Sequence, residues 1–156
     1  MTHTADRSEP EVLVINGPNL NLLGFREPTA YGTQTYDDLQ TLVARSASKL
    51  GLHSQCLQSN HEGEIIDWLH GARGTAAGIV LNPASFTHSS IGIRDAVLAL
   101  DIPVVEVHIS NVHAREAFRH HSFTAEVADA VIIGAGLFGY TLALQFLAER
   151  IGLSSR

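Results

Sequence analysis

Five short, largely apolar runs, at residues 12–15, 52–57, 77–81, 103–107 and 131–133, alternate with segments of helical spacing along the chain. Strands buried on both faces read as continuous apolar runs, and such strands alternating with helices build parallel sheets covered on each side. The expected fold is therefore α/β, a three-layer α/β/α arrangement with a five-stranded parallel sheet in flavodoxin-like order. The helical segments carry their own punctuation. Tyr36, Leu39, Leu42, Val43, Ala47 and Leu50 recur at helical spacing, with Thr35 as N-cap candidate and Gly51 just past the end. Ile65, Ile66 and Leu69 mark a short helix closed by Gly71 and Gly74. Ser89 or Ser90 caps a helix running to Leu100. A short polar helix is expected over residues 113–119. The last, long helix presents Leu137, Leu142, Phe146, Leu147 and Ile151.

The 156 residues fit a single domain, with 1–10 a frayed polar leader. Apolar content of 45 % with 17 % charged residues describes a soluble globular chain. A net charge of −6 argues against nucleic acid, whose binding rests on cations that displace counterions. No apolar run is long enough to span a membrane, and the expected location is the cytoplasm. Cys56 stands alone, which excludes a disulfide framework and a thiolate zinc site. Lys49 is the only lysine, on the polar side of its helical segment, so an imine-forming mechanism has no credible candidate.

Chemistry gathers at three strand ends. After the first strand, residues 16–32 run with three Gly and two Pro before any helical pattern resumes, and carry Asn16, Asn19, Arg26 and Tyr31. Connections this long are usually lids or binding loops, and residues 18–34 are expected to form one over the site. The third strand ends in Asn82-Pro83-Ala84-Ser85-Phe86-Thr87-His88-Ser89-Ser90, and the fourth in Glu106-Val107-His108-Ile109-Ser110-Asn111. In a parallel sheet all three ends share one edge, where open α/β folds bind ligands.

Each motif also has a plain structural reading. Asn16-Gly17-Pro18-Asn19 suits a turn, because Asn and Gly accept left-handed backbone and Pro presets φ. Glu106 and His108 share a strand face and form either a buried structural pair or a working one; desolvating such a pair is costly, which favours function. His88 fits a helix-initiating turn as well as a site. Arg94-Asp95 reads as a solvated helix pair, and His113, Arg115, Arg119, His120 and His121 as an exposed polar helix. His120 and His121 make no metal site, since adjacent helical positions do not face each other. Trp68 reads as core.

These residues resemble type II 3-dehydroquinate dehydratase, the small α/β dehydroquinase. The likeness rests on Asn16-Gly17-Pro18-Asn19-Leu20, Leu23-Gly24, Arg26-Glu27-Pro28 and Tyr31-Gly32, then Asn82-Pro83, Thr87-His88 and Arg94-Asp95. Glu106-Val107-His108-Ile109-Ser110-Asn111, Arg115 and Arg119 follow in the family's order. Ala84-Ser85 and Phe86 depart from it, standing where Gly or Ala and where Tyr are expected.

The resemblance implies dehydration of 3-dehydroquinate to 3-dehydroshikimate in the shikimate pathway, by anti elimination through an enolate, with no metal or organic cofactor. It implies Tyr31 as base, Arg26 as the cation favouring its phenolate, and His108 as general acid oriented by Glu106. Asn19 stabilises the enolate oxygen, directly or through water. The backbone of Ile109 and Ser110 holds the substrate carboxylate, and Asn82, His88 and Arg119 hold its hydroxyls. Asp95 matches a position that reaches in from a neighbouring subunit, which implies a homo-oligomer, a dodecamer built as four trimers.

Two other classes remain in view. A flavodoxin-like nucleotide or phosphate-binding module lacks both a glycine-rich phosphate turn and a P-loop lysine here. A hydrolase using Ser85 or Ser110 with His108 lacks the nucleophile elbow.

Overall fold

The computed structural model of the protein describes residues 8–153. A single sheet carries the fold: β1 (Glu11–Asn16), β2 (His53–Gln58), β3 (Gly78–Asn82), β4 (Val104–His108) and β5 (Ala130–Ile133). All neighbours pair in parallel, in the order β2-β1-β3-β4-β5, which is the flavodoxin-like order expected. The observed strands begin or end within a residue of the apolar runs. The leader expected at 1–10 lies, over residues 1–7, outside the described residues; Pro10 is tied to the sheet edge, its carbonyl accepting from His53 N at 3.0 Å.

Strand alternation divides the interior into two cores. Val12, Val14, Val80, Val105 and Val107 face α2 (Tyr36–Lys49) and α5 (Phe138–Ile151). Leu13, Ile15, Ile79, Leu81 and Val104 face α3 (Glu62–Gly71) and α4 (Ile91–Leu98), and Trp68 packs, half-buried, on this side. Removing one of the fully buried leucines, such as Leu144, would cost about 2–5 kcal/mol through lost transfer energy and the cavity left behind. On α5 the apolar face turns out to be Tyr140, Ala143, Leu144, Leu147 and Ala148, while Leu142, Phe146 and Ile151 lie at its margin.

Helix starts follow the local chemistry. Thr35 and Asp38 form a reciprocal capping box on α2. Of the two candidate serines, Ser90 caps α4, accepting from Ile93 N at 2.9 Å.

Two expectations are corrected. The long loop after β1 is not structureless: it contains a 3₁₀ turn at Leu20–Leu22 and a one-turn helix, α1 (Pro28–Tyr31). The polar helix expected over 113–119 is two 3₁₀ turns, Val112–Ala114 and Ala117–Arg119. Between them Arg115 and Glu116 are extended, at ψ −165° and 146°, so the helical ladder cannot run through.

Candidate active site

Three connections after β1, β3 and β4 meet at the carboxyl edge of the sheet, around the point where the strand order reverses. Their approach is close. Gly17 N donates to Asn82 O at 2.8 Å, and a Cβ at Gly17 would lie 2.3 Å from Pro83 O. Only glycine fits there, and that contact joins the floor of the cleft. Asn19 (φ 67°) and Ala84 (φ 51°) both hold left-handed backbone.

The cleft between these loops holds about 50 Å³ and brings together residues from distant parts of the chain. One wall carries Asn19, Arg26 and Tyr31; the floor carries Asn82 and Ala84; the other wall carries His88, His108, Ile109, Ser110, Arg115 and Arg119. Nine of the residues expected at the site therefore converge. Glu106 lies directly beneath His108, fully buried. Asp95 does not reach the cleft: its side chain is 66 % exposed on α4, 3.9 Å from Arg94.

Tyr31 sits among cations. Arg115 Nη1 donates to its hydroxyl at 2.6 Å, and Arg115 Nη2 donates to Glu27 Oε2 at 2.9 Å. The guanidinium carbons of Arg26 and Arg115 lie 5.5 and 5.3 Å from the ring centre. Arg115, expected on an exposed polar helix, is only 15 % exposed, and the extended backbone at 115–116 is what turns it inward. Burial works against its charge, but the hydrogen bond to Tyr31 and the nearby Tyr31, Glu27 and Glu116 oxygens hold its protonated form above the usual range. Sequence reasoning matched Arg115 to the motif and gave it no task. Arg119 is anchored by Nε donating to Glu116 Oε2 at 2.7 Å.

His108 is set by strand geometry. Positions 104, 106 and 108 share one face of β4, so Glu106 comes to lie beside the ring, Oε1 to Nε2, at 2.6 Å. Oε1 also accepts from Ser122 Oγ at 2.9 Å and from the Thr87 hydroxyl. Thr87 in turn lies 2.8 Å from Thr124 Oγ1. Burial pushes the Glu106 carboxyl up, yet the bond and charge of His108 and the threonine hydroxyls outweigh it and hold the group below the usual carboxylate range. Ser122 and Thr124 belong to a segment that carried no periodic signal in the sequence.

His88 ends a 3₁₀ turn and lines the cleft, while Ser90 initiates the helix that follows. The His88 ring Nδ1 is 2.7 Å from His121 O. Burial, with His108 and Arg119 close by, outweighs that carbonyl and lowers its pKa. Asn16, counted among the strand-end groups, is instead buried beneath the cleft and bonded to Tyr140.

Among the described residues no group of three or more His, Cys, Asp or Glu could hold a metal ion, and no helix is long and apolar enough to cross a membrane. Neither Ser85 nor Ser110 is hydrogen-bonded to His108 among the described residues, and Glu106 engages its Nε2, which leaves the hydrolase reading without a nucleophile–base pair.

An amide-lined strand end, a phenol bonded to a guanidinium and a carboxylate-backed imidazole come together on one edge of this α/β sheet. Comparison with known proteins makes this specific. The family described as dehydroquinase class II matches residues 10–148. A catabolic 3-dehydroquinase 2 from Aspergillus flavus is 53 % identical over 94 % of this chain and 99 % of its own. A 3-dehydroquinate dehydratase 2 from Pseudomonas putida is 55 % identical over 90 % of this chain and 95 % of its own. The crystal structure of a type II dehydroquinase from Butyrivibrio crossotus superposes with a TM-score of 0.88 at 46 % identity, covering 90 % of this chain and 98 % of that one. The chain belongs to the class II dehydroquinase family and is a hydro-lyase of that type.

Proposed function

We propose that this hydro-lyase converts 3-dehydroquinate to 3-dehydroshikimate by anti elimination through an enolate, in the shikimate pathway. The observation that carries the reading is one cleft with two proton-transfer groups on opposite walls, each with its own charged partner: Tyr31 with Arg115, and His108 with Glu106. Tyr31 removes the proton beside the ketone. Two guanidiniums face the phenol, Arg115 by a direct bond to its hydroxyl and Arg26 over the ring.

His108 delivers a proton to the departing hydroxyl. Glu106 occupies Nε2, so Nδ1 is the nitrogen left to serve the substrate. Asn19, held in left-handed backbone with its own N–H bonded to Asn60, stabilises the enolate oxygen. Backbone groups of Ile109 and Ser110 hold the substrate carboxylate, and Asn82, His88 and Arg119 hold its hydroxyls.

Small-molecule sites typically offer about 300 Å³ or more, against about 50 Å³ here. Residues 18–34 therefore act as a lid that opens for entry and closes to exclude water. Asp95, exposed on α4, completes the site of a neighbouring copy in a dodecamer of four trimers.

The test is a spectrophotometric assay of purified protein with 3-dehydroquinate, read as appearance of the conjugated enone. Turnover that survives chelator and borohydride is expected. A folded protein with no turnover would overturn the reading.

A further inference from the structure

Tyr140 does not line the cleft and yet sits at the hub of the hydrogen bonds beneath it. It enters from the first turn of α5, its side chain wholly buried. Its hydroxyl donates to Asn16 Oδ1 at 2.7 Å and accepts from Asn82 Nδ2 at 2.8 Å. Asn16 Nδ2 donates to Leu57 O at 3.2 Å, and Asn82 Oδ1 accepts from Ala84 N at 3.1 Å.

These four bonds form a directed chain with one consistent set of proton positions. A carbonyl can only accept, so the Asn16 amide presents Nδ2 to Leu57 and Oδ1 to Tyr140. The phenol proton is committed to Asn16, and its oxygen must take a donor from Asn82. Ala84 N–H independently takes the oxygen end of the same Asn82 amide. The amide is thereby fixed at both ends, with one N–H left to offer a ligand.

We propose that Tyr140 is a positioning residue for substrate binding: through its hydroxyl it fixes which end of the Asn82 amide faces the cleft, so that the site offers a hydrogen-bond donor to a substrate hydroxyl oxygen. The inference rests on the functional reading above for the identity of the ligand. Phenylalanine would fill the same volume and leave Asn16 Oδ1 and Asn82 Nδ2 buried without their partner. The chain also fixes Ala84, whose left-handed backbone is held by the Asn82 oxygen and lines the same cleft.

The test is a double-mutant cycle read on KM and kcat separately. Tyr140→Phe raises KM for 3-dehydroquinate about three- to tenfold, the worth of one neutral hydrogen bond. Its kcat stays within about twofold, because a bond to a group remote from the reacting proton is uniform binding. In an Asn82→Ala background the same substitution raises KM no further. A folded Tyr140→Phe protein with unchanged KM, or equal KM increases in both backgrounds, overturns the proposal.

A second measurement needs neither the variant nor turnover. In the free wild-type protein, hydrogen exchange at the Asn82 side-chain amide, followed by ¹⁵N–¹H NMR, is slower for the proton bonded to Tyr140 by about tenfold or more. Equal exchange of the two protons overturns it. Failure of the functional reading is separately visible, as absence of turnover in the wild type.

Discussion

Arg115 Nη1 donates to the Tyr31 hydroxyl at 2.6 Å, joining the connection after β4 to the loop after β1 across 84 positions of sequence. The same guanidinium reaches Glu27 Oε2 at 2.9 Å, so one side chain fastens that loop at two points and supplies the nearest cation to the phenol oxygen. Arg115→Ala is expected to lower kcat by about 10- to 150-fold, the worth of a hydrogen bond to a charged group. Arg115→Lys keeps the charge and loses the planar fork, and only part of the activity returns. Steady-state kinetics of both variants at one pH checks this; an Arg115→Ala enzyme with wild-type kcat would return the whole task to Arg26.

Tyr31→Phe removes the proposed base and leaves the ring between its two guanidiniums. Turnover should fall by at least about 10²-fold, in line with loss of a general base, while product still binds. Turnover assays paired with calorimetric titration of 3-dehydroshikimate separate the two effects. Substantial residual turnover would move the base to another group.

The Glu106 carboxyl, held below the usual range in the folded protein, makes stability depend on acid. Its contribution is complete above the pKa of the unfolded chain, 4.5, and is lost as pH falls from there through the lower folded value. Glu106→Gln should cost about 1–3 kcal/mol at pH 7 and flatten this acid slope. Urea unfolding of both proteins between pH 3 and 7 measures it; parallel slopes would assign the acid dependence elsewhere.

At the alkaline end the sign reverses. Burial pushes the Cys56 thiol up to about 11, and burial together with the neighbouring Cys56 pushes Tyr36 up to about 12. The unfolded chain releases these protons from about 9 to 10, before the folded protein does, so stability falls as pH rises from about 9 through 12. Cys56→Val should delay the onset of this loss in thermal melts recorded from pH 8 to 11. An unchanged onset would count against the assignment.

Asp95 gives the test of assembly. Asp95→Ala should reduce activity although its side chain lies outside the cleft of its own chain. Mixed oligomers of Asp95→Ala and Tyr31→Phe subunits should regain some sites that contain both wild-type groups. Verified mixed oligomers with no recovery would separate Asp95 from its neighbours' sites.

Much of this is legible in the sequence. Hydrophobic periodicity placed every strand to within a residue or so, because burial on both faces of a parallel sheet leaves an unbroken apolar trace. The direction of the strands then brought Tyr31, Asn82 and His108 to one edge. Alternation along β4 put Glu106 on the face of His108, and turn chemistry located the loops.

What the sequence by itself determined, then, was the sheet, the polar groups gathered at its carboxyl edge and, through resemblance, the family. Only the tertiary structure decided how they are supported. Arg115 joined Arg26 beside Tyr31, with a direct bond to its hydroxyl, because a break in backbone dihedrals turned it inward. Ser122 and Thr124 joined Glu106, Tyr140 bridged Asn16 and Asn82, and Asp95 stayed on the surface. The reason is physical: periodicity reports which way a side chain faces relative to its own element, whereas hydrogen-bond partners are set by distances between elements far apart in sequence, which no local pattern encodes.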